Sequence, residues 1–200
     1  HASQQNVFEE VYFEGGSVGL SLALDPKNLG QCSENMFLWV RFTSLHSGVV
    51  IGDYNSLGNI FYSTSFTKLK KGIHHGKNKS GGQWSIFGGE LSNITGEAFD
   101  IQNASNGVWP IFGISVNRVE KTLSTRSGSA PINVILSDIE FSETKISHLS
   151  SGTLLFNNSK IDNSKIEVGS PNASSSLIYF KSTDSSTTKK MSIYASYSEY

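Results

Sequence analysis

Six segments of this chain fall on one ruled grid, and that grid limits the fold more than any other feature. Phe13, Phe42, Phe66, Leu91, Val116 and Phe141 are separated by steps of 29, 24, 25, 25 and 25 residues. Five positions earlier in each segment stand Phe8, Phe37, Phe61, Ile86, Ile111 and Leu136. Two positions earlier stand Val11, Val40, Thr64, Gly89, Ile114 and Ile139. Apolar residues at −2 and 0 alternate with polar or variable ones at −1 and −3, the period of a half-buried strand. Each segment reads as a strand of about seven residues ending on its anchor. A polar turn follows, and then a glycine six places after the anchor (Gly19, Gly48, Gly72) opens a second strand. Such a unit cannot bury its own apolar face, but stacked copies can, so the period points to a solenoid of coils.

A polar column keeps the same phase. Asn6, Asn35 and Asn59 lie seven places before the first three anchors. Stacked asparagines at one corner can pass hydrogen bonds from coil to coil and satisfy backbone groups that a bend leaves unpaired. In the next two segments the same position holds Trp84 and Trp109. The period-2 alternation and dense Ser and Gly exclude helical repeats, and a period of 24–25 is too long for hexapeptide β-helices. A β-sandwich is the competing architecture, but it does not call for like residues one coil apart.

Composition narrows function by exclusion. The net charge is −1, which gives no electrostatic case for nucleic acid or an anionic membrane. No run of ~18 apolar residues is present, so no membrane-spanning helix is expected. Cys32 is alone, which rules out an internal disulfide framework. No metal site and no cofactor are expected. Adjacent His74 and His75 cannot both ligate one ion from a single strand face.

The coil length, the aromatic and aliphatic stacks, the asparagine column and the corner glycines resemble right-handed parallel β-helix proteins of the pectate-lyase type. The expected fold is an all-β, right-handed parallel β-helix (solenoid) of about six to seven coils of roughly 25 residues. It covers residues 1–161, and 162–200 form an irregular β-rich end, a last coil or a cap. After Phe141 the strand-like pieces come at spacings of about 20. No amphipathic capping helix is visible near His1. The chain is therefore expected to be part of a longer protein or to have its ends covered by other chains. Within the group, the Ser- and Asn-rich, charge-poor style looks most like a phage tailspike or a secreted polysaccharide-processing protein. That resemblance implies a polysaccharide partner, an extracellular or virion-surface location and a homotrimer or a larger parent chain. It carries over no catalytic residue. A non-catalytic structural or adhesive β-helix is the alternative.

The candidate chemistry is read from residues placed outside. The −1 column holds Tyr12, Arg41, Ser65, Glu90, Ser115 and Glu140; the −3 column includes Trp39 and Asp138. Aromatic faces stack on sugar rings, and paired carboxylates can act as acid and base. Glu90 and Glu140, two coils apart, come to ~9.6 Å at the usual strand spacing. Inverting glycosidases use roughly 6.5–9.5 Å. Asp138 and Glu140 on one strand come to about 6.7 Å. The candidate catalytic residues are therefore Glu90, Asp138 and Glu140. The candidate sugar contacts are Trp39, Arg41, Trp84 and Trp109, together with His75 and Asp100 as neighbours one coil apart.

Overall fold

The computed structural model describes residues 4–22, 32–52, 56–75, 81–102, 107–126, 131–169, 176–181 and 192–195. Among these residues there is no helix, and every strand pairing is parallel. Val7–Glu9 pairs with Met36–Leu38, which pairs with Ile60–Thr67, which pairs with Ser85–Ile101. The ladder continues through Gly107–Phe112, Ile132–Ser137, Gly152–Asn157 and Ser176–Lys181. Each step joins residues one coil apart. The chain is an all-β parallel β-solenoid.

The columns read from the sequence are the register. Phe13, Phe42, Phe66, Leu91 and Val116 are successive partners. So are Phe8, Phe37, Phe61, Ile86, Ile111 and Leu136. About five turns keep the 24–25-residue spacing, fewer than the six to seven expected. The step before them is longer, and the step after shortens to 20, Phe141 to Ile161. Beyond Ile161, Lys165–Val168 pairs with Lys145–His148, and Ser192–Ala195 pairs with Lys165–Val168.

One point of local geometry departs from the expected single seven-residue strand. The −3 residue is a corner. Glu10, Trp39, Ser63, Gly88, Gly113, Asp138 and Asn158 all have φ between 47° and 65°. A second left-handed column follows five residues on, at Gly15, Ser44, Lys68, Asn93, Arg118, Glu143 and Asn163. A third precedes the first column by five, at Gln5, Glu34, Gly58 and Gln83. Each coil therefore turns at regular five-residue intervals. The first side carries short strands such as Val7–Glu9, the second strands such as Tyr12–Glu14, and the third strands such as Val18–Leu22. Left-handed backbone is costly for most L-residues. Here the ladder continues through the bend: the corner N–H of Glu10 donates to Leu38 O, that of Trp39 to Tyr62 O and that of Asp138 to Asn157 O, all at 3.0 Å.

Glycine six places after the anchor answers to backbone crowding. Gly72 does not have positive φ; a Cβ there would lie 2.3 Å from Ala98 O of the next coil. Close approach of the third-side strands is what excludes a side chain.

The core is a set of one-dimensional stacks. Phe8, Phe37 and Phe61 stack at 5.0 and 4.6 Å, and Phe13, Phe42 and Phe66 at 4.9 and 5.0 Å. The asparagine ladder is formed. Asn6 Nδ2 donates to Asn35 Oδ1 and Asn35 Nδ2 to Asn59 Oδ1, each at 3.0 Å, and Asn59 Nδ2 donates to Cys32 O.

Candidate functional site

The outer surface of the second side, with the corner that leads into it, gathers three of the candidate residues. Trp39 stands on that corner and is half exposed. Tyr12 and Arg41 are register partners on the second side and both point outward. With Glu10, Val11 and Ser63 they line an open groove of about 720 Å³. A second depression of about 400 Å³ also takes in Tyr12, Arg41 and Ser63 and runs on to Ser65, Thr67, Gly89 and Glu90. Arg41, Ser65 and Glu90 are successive rungs of one column. The site thus offers two aromatic rings, a guanidinium, carboxylates and a row of hydroxyls along the solenoid axis. Arg41 presents donors in a fixed fork, suited to carboxylate or to paired hydroxyls. Tyr12 and Glu10 belong to the groove although neither was a candidate. Their signal was the outward phase of the same columns that gave Arg41 and Trp39.

The carboxylates are spread along the same side. Glu90, Ser115 and Glu140 are successive partners, so Glu90 and Glu140 are two rungs apart as the spacing predicts. Glu140 is ion-paired with Lys160 at 2.5 Å, both well exposed. Asp138 is not on a strand with Glu140, which corrects the separation expected for that pair. It occupies the corner before it, with φ 57°. Its carboxylate accepts from Asn158 Nδ2 at 2.6 Å and from Ser137 Oγ at 2.7 Å. Those two donors hold its pKa below the ordinary aspartate value.

Four candidate contacts are not on the surface. Trp84 and Trp109 stack on each other at 5.8 Å but are fully buried, Trp84 also packing on Phe61 at 5.5 Å. The indole N–H of Trp84 donates to Ser56 O. They belong to the core, because the column they inherit from the asparagines faces inward. His75 is also buried, with its ring edge-on to Trp109 and its Nδ1 accepting the N–H of Gln102 at 2.8 Å. Asp100 is not its neighbour across the ladder. It pairs with His74, because the third side carries an irregularity between Ile94 and Glu97 that shifts the register by one. Asp100 is covered by Lys71 at 3.1 Å, Gln102 at 3.0 Å and Arg126 at 3.7 Å, a structural ion-pair cluster closed to a polymer.

No group of three His, Cys, Asp or Glu suited to a metal ion occurs among the described residues. Among the described residues no helix is long and apolar enough to cross a membrane. Comparison of the chain with protein-family models, with curated proteins and with solved structures gives no match.

Proposed function

We propose that the second side and its leading corner bind an extended polysaccharide laid along the solenoid axis. The groove around Tyr12, Trp39 and Arg41 carries this reading. Two half-exposed aromatic rings beside a guanidinium and a row of hydroxyls are the chemistry that recognises sugar rings and their substituents. Because the outward residues repeat at ~4.8 Å, a polymer can meet one rung after another without any loop to shape the site. By its resemblance to pectate-lyase-type β-helices and phage tailspikes, we place the protein outside the cell or on a virion, with a bacterial or extracellular glycan as partner.

Cleavage is the less supported half of the reading. A glycosidase acid needs a raised pKa. The hydrogen bonds to Asp138 lower its pKa, and Glu140 is ion-paired with Lys160. These observations favour the second reading, an adhesive or structural solenoid that holds glycan without breaking it.

A panel of purified capsular and matrix polysaccharides tests both. Binding should be detected for at least one, and Trp39→Ala and Arg41→Ala should each weaken it by about tenfold or more, the loss of one well-placed contact. Undiminished binding in both variants would sink the groove assignment. Release of reducing ends or unsaturated sugars that disappears in Glu90→Gln or Glu140→Gln would establish cleavage and overturn the adhesive reading.

A further inference from the structure

The second side does not lose its relief at Glu90. A third open depression, of about 460 Å³, lies beyond it and is lined by Asn117, Arg118, Glu120, Ser142 and Glu143 among others. Arg118 and Glu143 stand on the corner that ends the second side, with φ 53° and 52°. A column of neutral hydrogen-bonding side chains leads there. Thr43, Thr67, Ser92 and Asn117 are successive rungs, and Ser142 follows Asn117 after a step of 25. Thr67 Oγ1 donates to Thr43 Oγ1 at 3.0 Å. Ser92 is nearly covered, whereas Asn117 and Ser142 are exposed. This column carries charge only at its ends, on Glu14 and Asp162. The charges beside it are mixed in the same way in all three depressions. Glu10 stands with Arg41 in the first, Glu90 with Arg41 in the second, and Glu120 and Glu143 with Arg118 in the third. Among the described residues no ion pair engages any of these, whereas Lys71, Lys121, Arg126 and Lys145 each hold a carboxylate.

We infer, resting on the reading that this side binds glycan, that the ligand is an uncharged polysaccharide and that it reaches from Tyr12 to the third depression. A chain with a carboxylate on each sugar sets like charge against a glutamate in every depression, and an amino-bearing chain does the same against an arginine. A neutral chain meets neither penalty. A guanidinium offers only donors and a carboxylate only acceptors, but a sugar hydroxyl is both and satisfies either. The bonds so formed are charge-assisted and stronger than those between neutral groups. Between them the neutral column presents one polar side chain per rung of ~4.8 Å. Arg41 and the coil of Arg118 are three rungs apart, ~14 Å along the axis. A ligand that holds both is therefore several sugars long.

Matched polymers decide it. Acidic polysaccharides, and the same polymers after reduction of their carboxyl groups to alcohols, are compared by biolayer interferometry with neutral and amino-bearing polysaccharides, at low and at high salt. Neutral and carboxyl-reduced polymers should bind, with affinity changing less than about twofold between the salts. Native acidic and amino-bearing polymers should bind at least about tenfold more weakly. Arg118→Asn should weaken the neutral polymer about tenfold. Asn93 holds the same left-handed corner one coil earlier, so the variant keeps the fold, which circular dichroism checks. Tightest binding to a native acidic polymer, lost on carboxyl reduction, would overturn the inference and leave the groove assignment standing. Preference for an amino-bearing polymer would do the same. Unchanged binding in Arg118→Asn would end the footprint before the third depression and overturn its extent. Binding to none of the probes would overturn the groove assignment itself and the inference with it.

Discussion

The wide coils and the narrow ones solve the same problem with different side chains. In the coils that step by 24–25 residues, large rings fill the cross-section: Phe37, Phe42, Phe61, Phe66, Trp84 and Trp109 are all fully buried. Corner backbone groups there are reached by long polar arms, the amides of Asn35 and Asn59. Where the step drops to 20, the inward corner positions hold Thr144, Ser159 and Ser164. Their hydroxyls do the same task at short range. Ser159 Oγ accepts the N–H of Ile139 and Ser164 Oγ that of Thr144. Ser159 Oγ also has Leu136 O as an acceptor at 3.1 Å, and Ser164 Oγ has Asp162 O at 2.7 Å. A shorter perimeter leaves less interior, and only small hydroxyl residues fit beside the remaining Phe and Ile. Coil length and corner chemistry are therefore one choice.

The strongest way to break this comparison is to hollow out a wide coil. Trp84→Ala removes a ring packed between Phe61 and Trp109 and the donor to Ser56 O. It should cost ~3–5 kcal/mol in urea unfolding, as for other buried aromatics. A loss under about 1 kcal/mol would mean that the wide interior collapses freely and that ring stacking is not what sets its width.

The narrow end should respond most to acid. His148, on Lys145–His148, is fully buried, and burial lowers its pKa to about 4 despite an opposing backbone contact from Gly152. The folded pKa lies below the unfolded value of 6.5, so the unfolded chain binds the extra proton first. Stability is full above pH 6.5 and falls as the pH drops towards about 4. The loss should be of order 3 kcal/mol. His74, whose pKa burial also lowers, adds in the same direction from the wide coils. Denaturation midpoints of wild type and His148→Gln between pH 7 and 4 should diverge in slope, the variant being flatter. Equal slopes would remove His148 from the account.

These columns were legible because side chains carry them. Repeated Phe, Ile and Asn at fixed phase marked the inner face, the ladder and the spacing, and the outward phase of Trp39, Arg41 and Glu90 gave half the groove. The corners were not legible. Glu10, Trp39, Ser63 and Asp138 share a left-handed backbone but no chemistry, so nothing in their side chains announces a bend. The irregularity between Ile94 and Glu97 is equally silent, and it separated His75 from Asp100. Trp84 and Trp109 were misplaced although the signal was present. They occupy the asparagine column, and a ladder that satisfies backbone must face inward.

Asn59→Ala sharpens the corner comparison. Asn59 Oδ1 accepts both the backbone N–H and the side-chain amide of Asn35, at 3.1 and 3.0 Å, in a buried setting. Truncation leaves those donors unpaired and should cost ~1–3 kcal/mol. Asn59→Asp keeps the acceptor but loses the donor to Cys32 O at 2.9 Å and buries a charge, so it should not rescue.

The smallest effect is expected at the matching narrow corner. Ser159→Ala keeps the volume of the packed atoms almost unchanged and removes one hydroxyl. The N–H of Ile139 loses a long bond of 3.4 Å, while Asn157 O and Leu136 O lose a shared donor. The cost should be ~1 kcal/mol, that of one ordinary hydrogen bond. The contrast with Asn59→Ala follows from the number and quality of the bonds. Both side chains tie two coils together, but Asn59 does so through both atoms of its amide, whereas Ser159 has a single hydroxyl whose bond from Ile139 N–H is long. If urea midpoints show Ser159→Ala to be as damaging as Asn59→Ala, the narrow coils depend on their corners as much as the wide ones do. Their stability would then not come mainly from the continuous Phe141–Ile161 and Phe156 stacks beside them.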